Sequence, residues 1–335
     1  MDNNIPLISV IIPVYNTAEF IERCLDSVLG NTYKNLEVIC VNDGSTDNSL
    51  SVLKSIAEKD SRIKIIDKQN AGPSAARNDA LKIASGDYIM FIDSDDWVHS
   101  QFFEIMFTVI SNTGADIVGC GYVKTDKFAV DKSEYQVELI TSSDDNPMVS
   151  AKMRYVWGLI YKSNIVKKYS FPEKVRIAED TFFNSILTAG EMDCGNTVVL
   201  KSVDLPLYFY YQRSDSALST NSHATGQLEA ASEFLNYAEK MKTEKAKAFL
   251  IERAFKSALL FRYLEMFGEG YKTKKKDANV VLKRAVEMCR QNKAFDFKKK
   301  EFYIASDRMP ALYRLYRIVT DPTMIAWEKE QKSKE

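Results

Sequence analysis

Histidine is nearly missing from this chain: His99 and His223 are the two among 335 residues. Zinc coordination and Ser-His-Asp catalysis are therefore poorly supplied, and acid–base work falls to carboxylates. Cysteine is scarce too. Cys24, Cys40, Cys120, Cys194 and Cys289 are odd in number, scattered and without a Cys-x-x-Cys pair, which argues against a disulfide framework and for free thiols in a reducing cytoplasm. Neither sign of charge dominates: 45 Lys and Arg against 46 Asp and Glu leave a net charge of -1, so a nucleic-acid partner is not expected. No apolar run approaches the roughly 20 residues of a spanning helix, and no basic-then-apolar leader opens the chain. A cytoplasmic protein is expected. Gly-x-Gly-x-x-Gly and Gly-x-x-x-x-Gly-Lys-Ser/Thr are both lacking, which excludes a dinucleotide fingerprint and a P-loop.

What is present centres on residues 88–97, Tyr-Ile-Met-Phe-Ile-Asp-Ser-Asp-Asp-Trp. An apolar run of strand length ends in three carboxylates, a pattern that suits a strand buried on both faces. Side chains two apart share a side of an extended chain, so Asp93 and Asp95 point together. Like charges so placed raise each other's pKa unless a cation sits between them, and hard oxygens at that spacing suit Mg²⁺ or Mn²⁺. The competing reading makes Asp95 or Asp96 the cap of the next helix. An EF-hand fails, because Trp97 and Val98 stand where a ligand and a glycine are required.

Apolar runs at 7–13, 36–41, 63–66, 88–92 and 117–123 alternate with helical periodicities at 18–29, 50–57, 74–84 and 101–111. Ser74 is the predicted N-cap of the third helix and Gly86 its stop. Such alternation predicts an α/β fold with a mostly parallel sheet flanked by helices, whose ligands bind beyond the carboxyl ends of the strands. Three polar clusters, at 14–16, 42–47 and 93–96, all follow strands and are expected to meet on one edge. Residues 124–149 read as a loop insertion bordering a site. Glu179-Asp180 opens a further helix, and an aromatic strand at 205–211 leads into Gln212-Arg213-Ser214-Asp215-Ser216. From about 227 onward only helical patterns remain, at 227–242, 245–267 and 277–291. The predicted organisation is a domain at 1–220, with halves meeting near 123, and a helical C-terminal region at 221–335.

Each candidate site residue also has a plainer reading. Asp43 lies in Asn42-Asp43-Gly44-Ser45-Thr46-Asp47, which suits a turn with Ser45 or Asp47 capping the next helix; past a strand, its carboxylate could instead accept the N3–H of a uracil. Pro13-Val14-Tyr15-Asn16 offers an aromatic face and backbone groups for the same base. Arg77, in Gly72-Pro73-Ser74-Ala75-Ala76-Arg77-Asn78, is either solvated or, with Asn78, braces nucleotide-binding loops or a phosphate. Asp180 as an N-cap would be a low-pKa anion; as a general base it needs a desolvating pocket. Both stay open. Arg213 and Ser216 could lie near a diphosphate. Trp157 reads as core, and His99 is a poor partner for a hard Mg²⁺.

Taken jointly, these blocks resemble the family 2 glycosyltransferases of the GT-A fold, over roughly residues 7–219. The resemblance implies a nucleotide-diphosphate sugar donor, usually UDP-linked, and a Mn²⁺ or Mg²⁺ cofactor. It implies that Val14, Tyr15 and Asp43 hold the base, with Pro13, Asn16 and Arg77 among the nucleotide-binding loops. Asp93 and Ser94 would lie near the ribose, Asp95 would bind the metal, and Arg213 would face the diphosphate. Asp180, with Glu179 beside it, would be the base of an inverting displacement. Gln-x-x-Arg-Trp is lacking after the aromatic strand, so a non-processive transferase is expected, building bacterial surface polysaccharide or another glycan on a glycan, lipid-linked or glycoprotein acceptor. The basic runs and the stretch 303–327 could touch the inner face of the plasma membrane or form a homodimer interface. A nucleotidyltransferase and a non-catalytic sugar-nucleotide-binding protein are the alternatives.

Overall fold

The run Ile-Ser-Val-Ile-Ile-Pro-Val becomes β1 (Ile8–Val14), and Leu-Glu-Val-Ile-Cys-Val-Asn-Asp becomes β2 (Leu36–Asp43). Both are buried almost throughout, as central strands covered on two faces must be. In the computed structural model, which describes residues 5–127, 134, 154–175, 178–212, 222–265 and 271–295, they are followed by β3 (Ile63–Lys68), β4 (Tyr88–Phe91), β5 (Trp97–Val98), β6 (Ile117–Thr125), β7 (Leu159–Lys162) and β8 (Leu200–Tyr211). Between them lie α1 (Ile21–Leu29), α2 (Ser49–Ala57), α3 (Pro73–Ile83), α4 (Phe102–Thr113), the short α5 (Ser163–Val166) and α6 (Glu179–Asp193). The sheet order is β3-β2-β1-β4-β7-β6-β8-β5. The first four strands run parallel, but β7 is antiparallel to both β4 and β6, and β5 is antiparallel to β8. The sheet is therefore mixed, with its longer pairings parallel and three short ones antiparallel. The two-residue β5, immediately after the acidic cluster, was not expected.

The strand period of two sorts the core onto the two faces. Val10, Ile12, Val38 and Cys40 pack with Cys24, Leu25, Phe102 and Phe103. Ile11, Ile39 and Val41 pack with Ala76, Ala80, Phe183 and Leu187. Two helix-end expectations are corrected. Gly72, at φ 91°, is the N-cap of α3, with Pro73 in the first turn; Ser74 lies inside the helix and its buried hydroxyl has no hydrogen-bond partner among the described residues. A φ of that sign suits glycine, and Pro73 follows naturally at a position whose N–H has no helical acceptor. Gly86 does not stop α3, which ends at Ile83. It lets β4 enter against β1, where a Cβ would meet Ser9 N at 2.7 Å and Leu7 O at 2.8 Å.

That entry is pinned by Glu37, a buried carboxylate on β2. Its Oε2 accepts from Lys64 Nζ at 2.7 Å, and its Oε1 accepts from the Ser9 hydroxyl, Ser85 Oγ at 3.0 Å and Gly86 N at 3.0 Å. Burial opposes its charge, but the bonds from Lys64, Ser9 and Ser85 outweigh it and hold the carboxyl at about 2. The unfolded value is about 4.3, so this stabilisation is complete above that pH and is lost as pH falls toward 2. The expected cost of Glu37→Gln is about 2–3 kcal/mol at neutral pH, with the gap to wild type closing in acid, as read by denaturant unfolding across pH.

The chain divides into two compact units, Met1–Glu191 with Gly195–Ser216, and Met192–Cys194 with Ala217–Glu335. In the second, α7 (Ser222–Lys240), α8 (Glu244–Glu265) and α9 (Tyr271–Gln291) pack through Leu228, Phe261 and Ala278. No helix among the described residues is long and apolar enough to cross a membrane. The stretch 303–327 and most of the insertion at 124–149 lie outside the described residues.

Candidate active site

The parallel strands end at one edge, and their polar turns are tied to one another there. Asn16 Oδ1 accepts Thr46 N at 2.8 Å, and Asn16 N donates to Ser45 Oγ. Asp47 accepts Ala18 N through one carboxylate oxygen and Ser49 N through the other. Thr17 Oγ1 donates to Ser94 Oγ at 3.0 Å, joining the turn after β1 to the acidic cluster after β4. Asn16 adopts φ 51°, a conformation asparagine tolerates better than most residues. Tyr15 is 49% exposed at this edge, whereas Val14 is fully buried in the core, so only the backbone of Val14 can face a ligand.

Asp43, at the end of β2, is buried. Its Oδ1 accepts Ala71 N at 2.9 Å and its Oδ2 accepts Gly72 N at 2.7 Å, so it fixes the loop that starts α3. One turn into that helix, Arg77 is 3% exposed rather than solvated. Its Nη2 donates to Asp93 Oδ1 at 2.9 Å, and its Nη1 donates to Glu179 Oε1 at 3.1 Å and Asp180 Oδ1 at 3.2 Å. The guanidinium lies over the Phe171 ring, 5.4 Å from its centroid, and Phe171 stacks on Phe183 at 3.9 Å. Asn78 holds Phe171 in place, accepting from its N–H at 2.7 Å and donating to its carbonyl at 3.0 Å. A planar fork of donors is what permits one side chain to gather three carboxylates. Burial works against the Arg77 charge, but Asp180, Asp93 and Glu179 together hold the guanidinium protonated beyond its ordinary range.

Asp180 departs from the capping reading. It lies inside the first turn of α6, not at the cap, and its Oδ2 accepts from Val156 N at 3.3 Å. Burial is the largest influence on it. Arg77 and the Val156 N–H favour its charge, Glu179 and Asp93 oppose it, and the carboxyl is pushed up to about 8. The same helix start secures the segment leading into β7: Thr181 Oγ1 donates to Arg154 O and Asn184 Nδ2 to Tyr155 O. Ala178, just before Asp180's turn, has φ 66°, a strained conformation for a residue with a Cβ.

The acidic turn departs from the capping reading of its third carboxylate. Asp96 caps no helix; Gln101 is the N-cap residue of α4, and its N–H donates to His99 Nδ1 at 3.1 Å. Asp96 is fully buried, accepting the Tyr208 hydroxyl at 2.6 Å and Tyr211 N at 2.8 Å. Burial, with Asp95 and Asp93 nearby, raises its pKa well above the carboxylate range. Arg23, on α1, donates to Asp95 O at 2.6 Å and sits 4.3 Å from the Trp97 ring and 4.7 Å from the Tyr211 ring. Sequence reasoning missed Arg23, Tyr208 and Tyr210, and took Asp96 for a cap, because their partners are remote in the chain; the aromatic run at 208–211 was the one available signal. Trp157 is core, as expected, stacked on Tyr155 at 4.4 Å and Tyr208 at 4.6 Å. Arg213 and Ser216 lie outside the described residues.

The donor set fits a hard divalent ion of the Mg²⁺ or Mn²⁺ kind. Asp93 and Asp95 supply oxygen only, and among the described residues no group of three or more His, Cys, Asp or Glu side chains forms a self-sufficient metal cage. Ions of this kind are commonly completed by substrate phosphates and water.

A model described as glycosyl transferase family 2 matches residues 9–162. Among solved structures, S. aureus TarS 1–349 in complex with UDP-GlcNAc superposes with a TM-score of 0.64 at 21% identity, covering 96% of this chain and 92% of that one, which shows the shared GT-A fold. The poly(ribitol-phosphate) beta-glucosyltransferase of Bacillus spizizenii is 32% identical over 222 residues, 63% of this chain but 33% of that much longer protein. The uncharacterized glycosyltransferase EpsJ of Bacillus subtilis is 32% identical over 253 residues, 70% of this chain and 71% of EpsJ. Likeness of that extent in both chains, on a sheet edge with this arrangement of carboxylates, means that the chain belongs to glycosyl transferase family 2 and is a glycosyltransferase.

Proposed function

We propose that this enzyme moves a monosaccharide from a UDP-linked donor to an acceptor hydroxyl by a single inverting displacement. The observation that carries this reading is the gathering of Asp93, Glu179 and Asp180 around the Arg77 guanidinium, which brings the strand-end acidic turn together with a buried carboxylate suited to accept a proton. Tyr15, the Val14 backbone, Pro13, Asn16 and Asp43 form the base and nucleoside side. Asp93 and Ser94 serve the ribose, Asp95 holds Mn²⁺ or Mg²⁺, and Arg213 faces the diphosphate. The ion, when bound, neutralises charge that develops on the departing diphosphate. Asp180 takes the proton from the acceptor hydroxyl as that oxygen attacks the anomeric carbon opposite the leaving group. Arg77 keeps Asp180 aimed, and Glu179 shares its guanidinium. No covalent enzyme intermediate is needed.

The relative that acts on poly(ribitol-phosphate) and the UDP-GlcNAc complex of a fold neighbour support a UDP-sugar donor and a bacterial surface-polymer acceptor. A cytoplasmic site of action, non-processive transfer and a C-terminal helical region that meets a membrane or a second copy belong to the same proposal.

A thermal-shift screen of UDP-, GDP- and dTDP-sugars tests it. A saturating UDP-sugar with Mn²⁺ is expected to raise Tm by several degrees, since ligand at about 100 times Kd adds about 2.7 kcal/mol, and chelation should abolish the shift. Stabilisation confined to GDP- or dTDP-sugars would overturn the UDP assignment. A shift indifferent to metal would overturn the role of Asp95.

A further inference from the structure

Tyr208 and Tyr210 are two apart on β8, and in an extended strand such side chains share a face. Both rings stack on Trp157, at 4.6 Å and 16° for Tyr208 and at 5.5 Å and 18° for Tyr210. Their hydroxyls have different fates. Tyr208 is fully buried, accepts Asp93 N at 3.2 Å and donates to Asp96 at 2.6 Å, so its hydroxyl is spent on the shape of the acidic turn. Tyr210 is half-buried one pleat further toward the strand's carboxyl end, where the neighbouring Tyr211 N donates to Asp96 of the acidic turn. Its hydroxyl has no hydrogen-bond partner among the described residues. Burial raises its pKa, and the charges of Asp96, Asp93 and Asp95 add to that effect. With its ring fixed by stacking on Trp157, the phenol O–H is a positioned donor suited to an anionic acceptor.

We propose that Tyr210 is a ligand-contacting residue whose hydroxyl donates a hydrogen bond to a phosphate oxygen of the nucleoside-diphosphate donor, while Tyr208 serves only the protein. The proposal rests on the donor reading above. Phosphate is the fitting acceptor because the proposed ion at Asp95 brings the diphosphate to this turn. A carboxylate-lined turn would otherwise repel that anion.

The test is calorimetric titration of UDP and of uridine, each with Mn²⁺, into wild type and Tyr210→Phe, with Tm measured for both proteins. The substitution keeps the ring and its stacking, so Tm is expected to stay within about 1 °C of wild type. The Kd for UDP is expected to rise about tenfold, the effect of one hydrogen bond to a charged group, while uridine binding is unchanged. Wild-type affinity for UDP in Tyr210→Phe overturns the proposal, as does an equal weakening of uridine or a Tm drop of several degrees, either of which would assign the hydroxyl a packing role. Failure of the wild type itself to bind UDP with Mn²⁺ overturns the donor reading, and the role of Tyr210 with it. Tyr208→Phe is the contrasting variant, expected to lower Tm because Asp93 N and Asp96 both lose a partner.

Discussion

Asp180→Asn is expected to lower kcat by about 10²–10⁴, the usual contribution of a positioned general base, while UDP affinity with Mn²⁺ stays near wild type. The amide keeps an oxygen for Arg77 but cannot take a proton from an acceptor hydroxyl. Two pH signatures separate this from simple misfolding. In wild type, the base must be ionised, so kcat/KM should climb with pH up to about 8, the value to which burial pushes the carboxyl; the variant should lack that limb. Stability has the opposite slope. A carboxyl whose folded pKa exceeds its unfolded value of about 3.9 binds more protons in the folded state, so wild-type stability falls as pH rises between those two values. The variant lacks this term, and its Tm should gain on that of wild type between pH 5 and 8. Turnover at the wild-type rate would remove Asp180 from the mechanism.

Arg77→Met should be the most damaging single change to both stability and activity. It leaves Asp93, Glu179 and Asp180 without their shared cation. Removing one partner from a buried charge cluster costs about 3–5 kcal/mol, which in a unit of this size corresponds to a Tm loss of roughly 10 °C. Arg77→Lys should recover only part of this, since a single ammonium cannot satisfy three carboxylates in the geometry of the fork. Activity is expected to fall about 100-fold or more, because the base loses its aim. Arg77 favours the charged form of Asp180, so in surviving variants the activity limb should move to higher pH. A kcat/KM profile unchanged in shape would limit Arg77 to a packing role.

Much of the framework is legible in the sequence. β1, β2 and β4 are apolar runs bounded by polar turns, and burial on both faces demands such runs. The expectation that the turns at 14–16, 42–47 and 93–96 would meet follows from strand order alone and is realised through Thr17–Ser94, Asn16–Thr46 and Asp47–Ala18. Local pattern misled at helix boundaries, where Ser74 looked like a cap but Gly72 takes the conformation the turn requires.

By itself, the chain's order of residues determined the α/β alternation, the strand ends that carry Asp43, Asp93 and Asp95, and the family these blocks resemble, because each depends on neighbours within a few positions. Only the tertiary structure decided what those carboxylates and their neighbours touch. Arg77 reaches across 16 residues to Asp93 and 103 to Asp180, and Tyr208 reaches across 112 to Asp96. Charge and desolvation act through space, so whether an aspartate is a solvated cap or a buried base is set by whatever the fold brings against it.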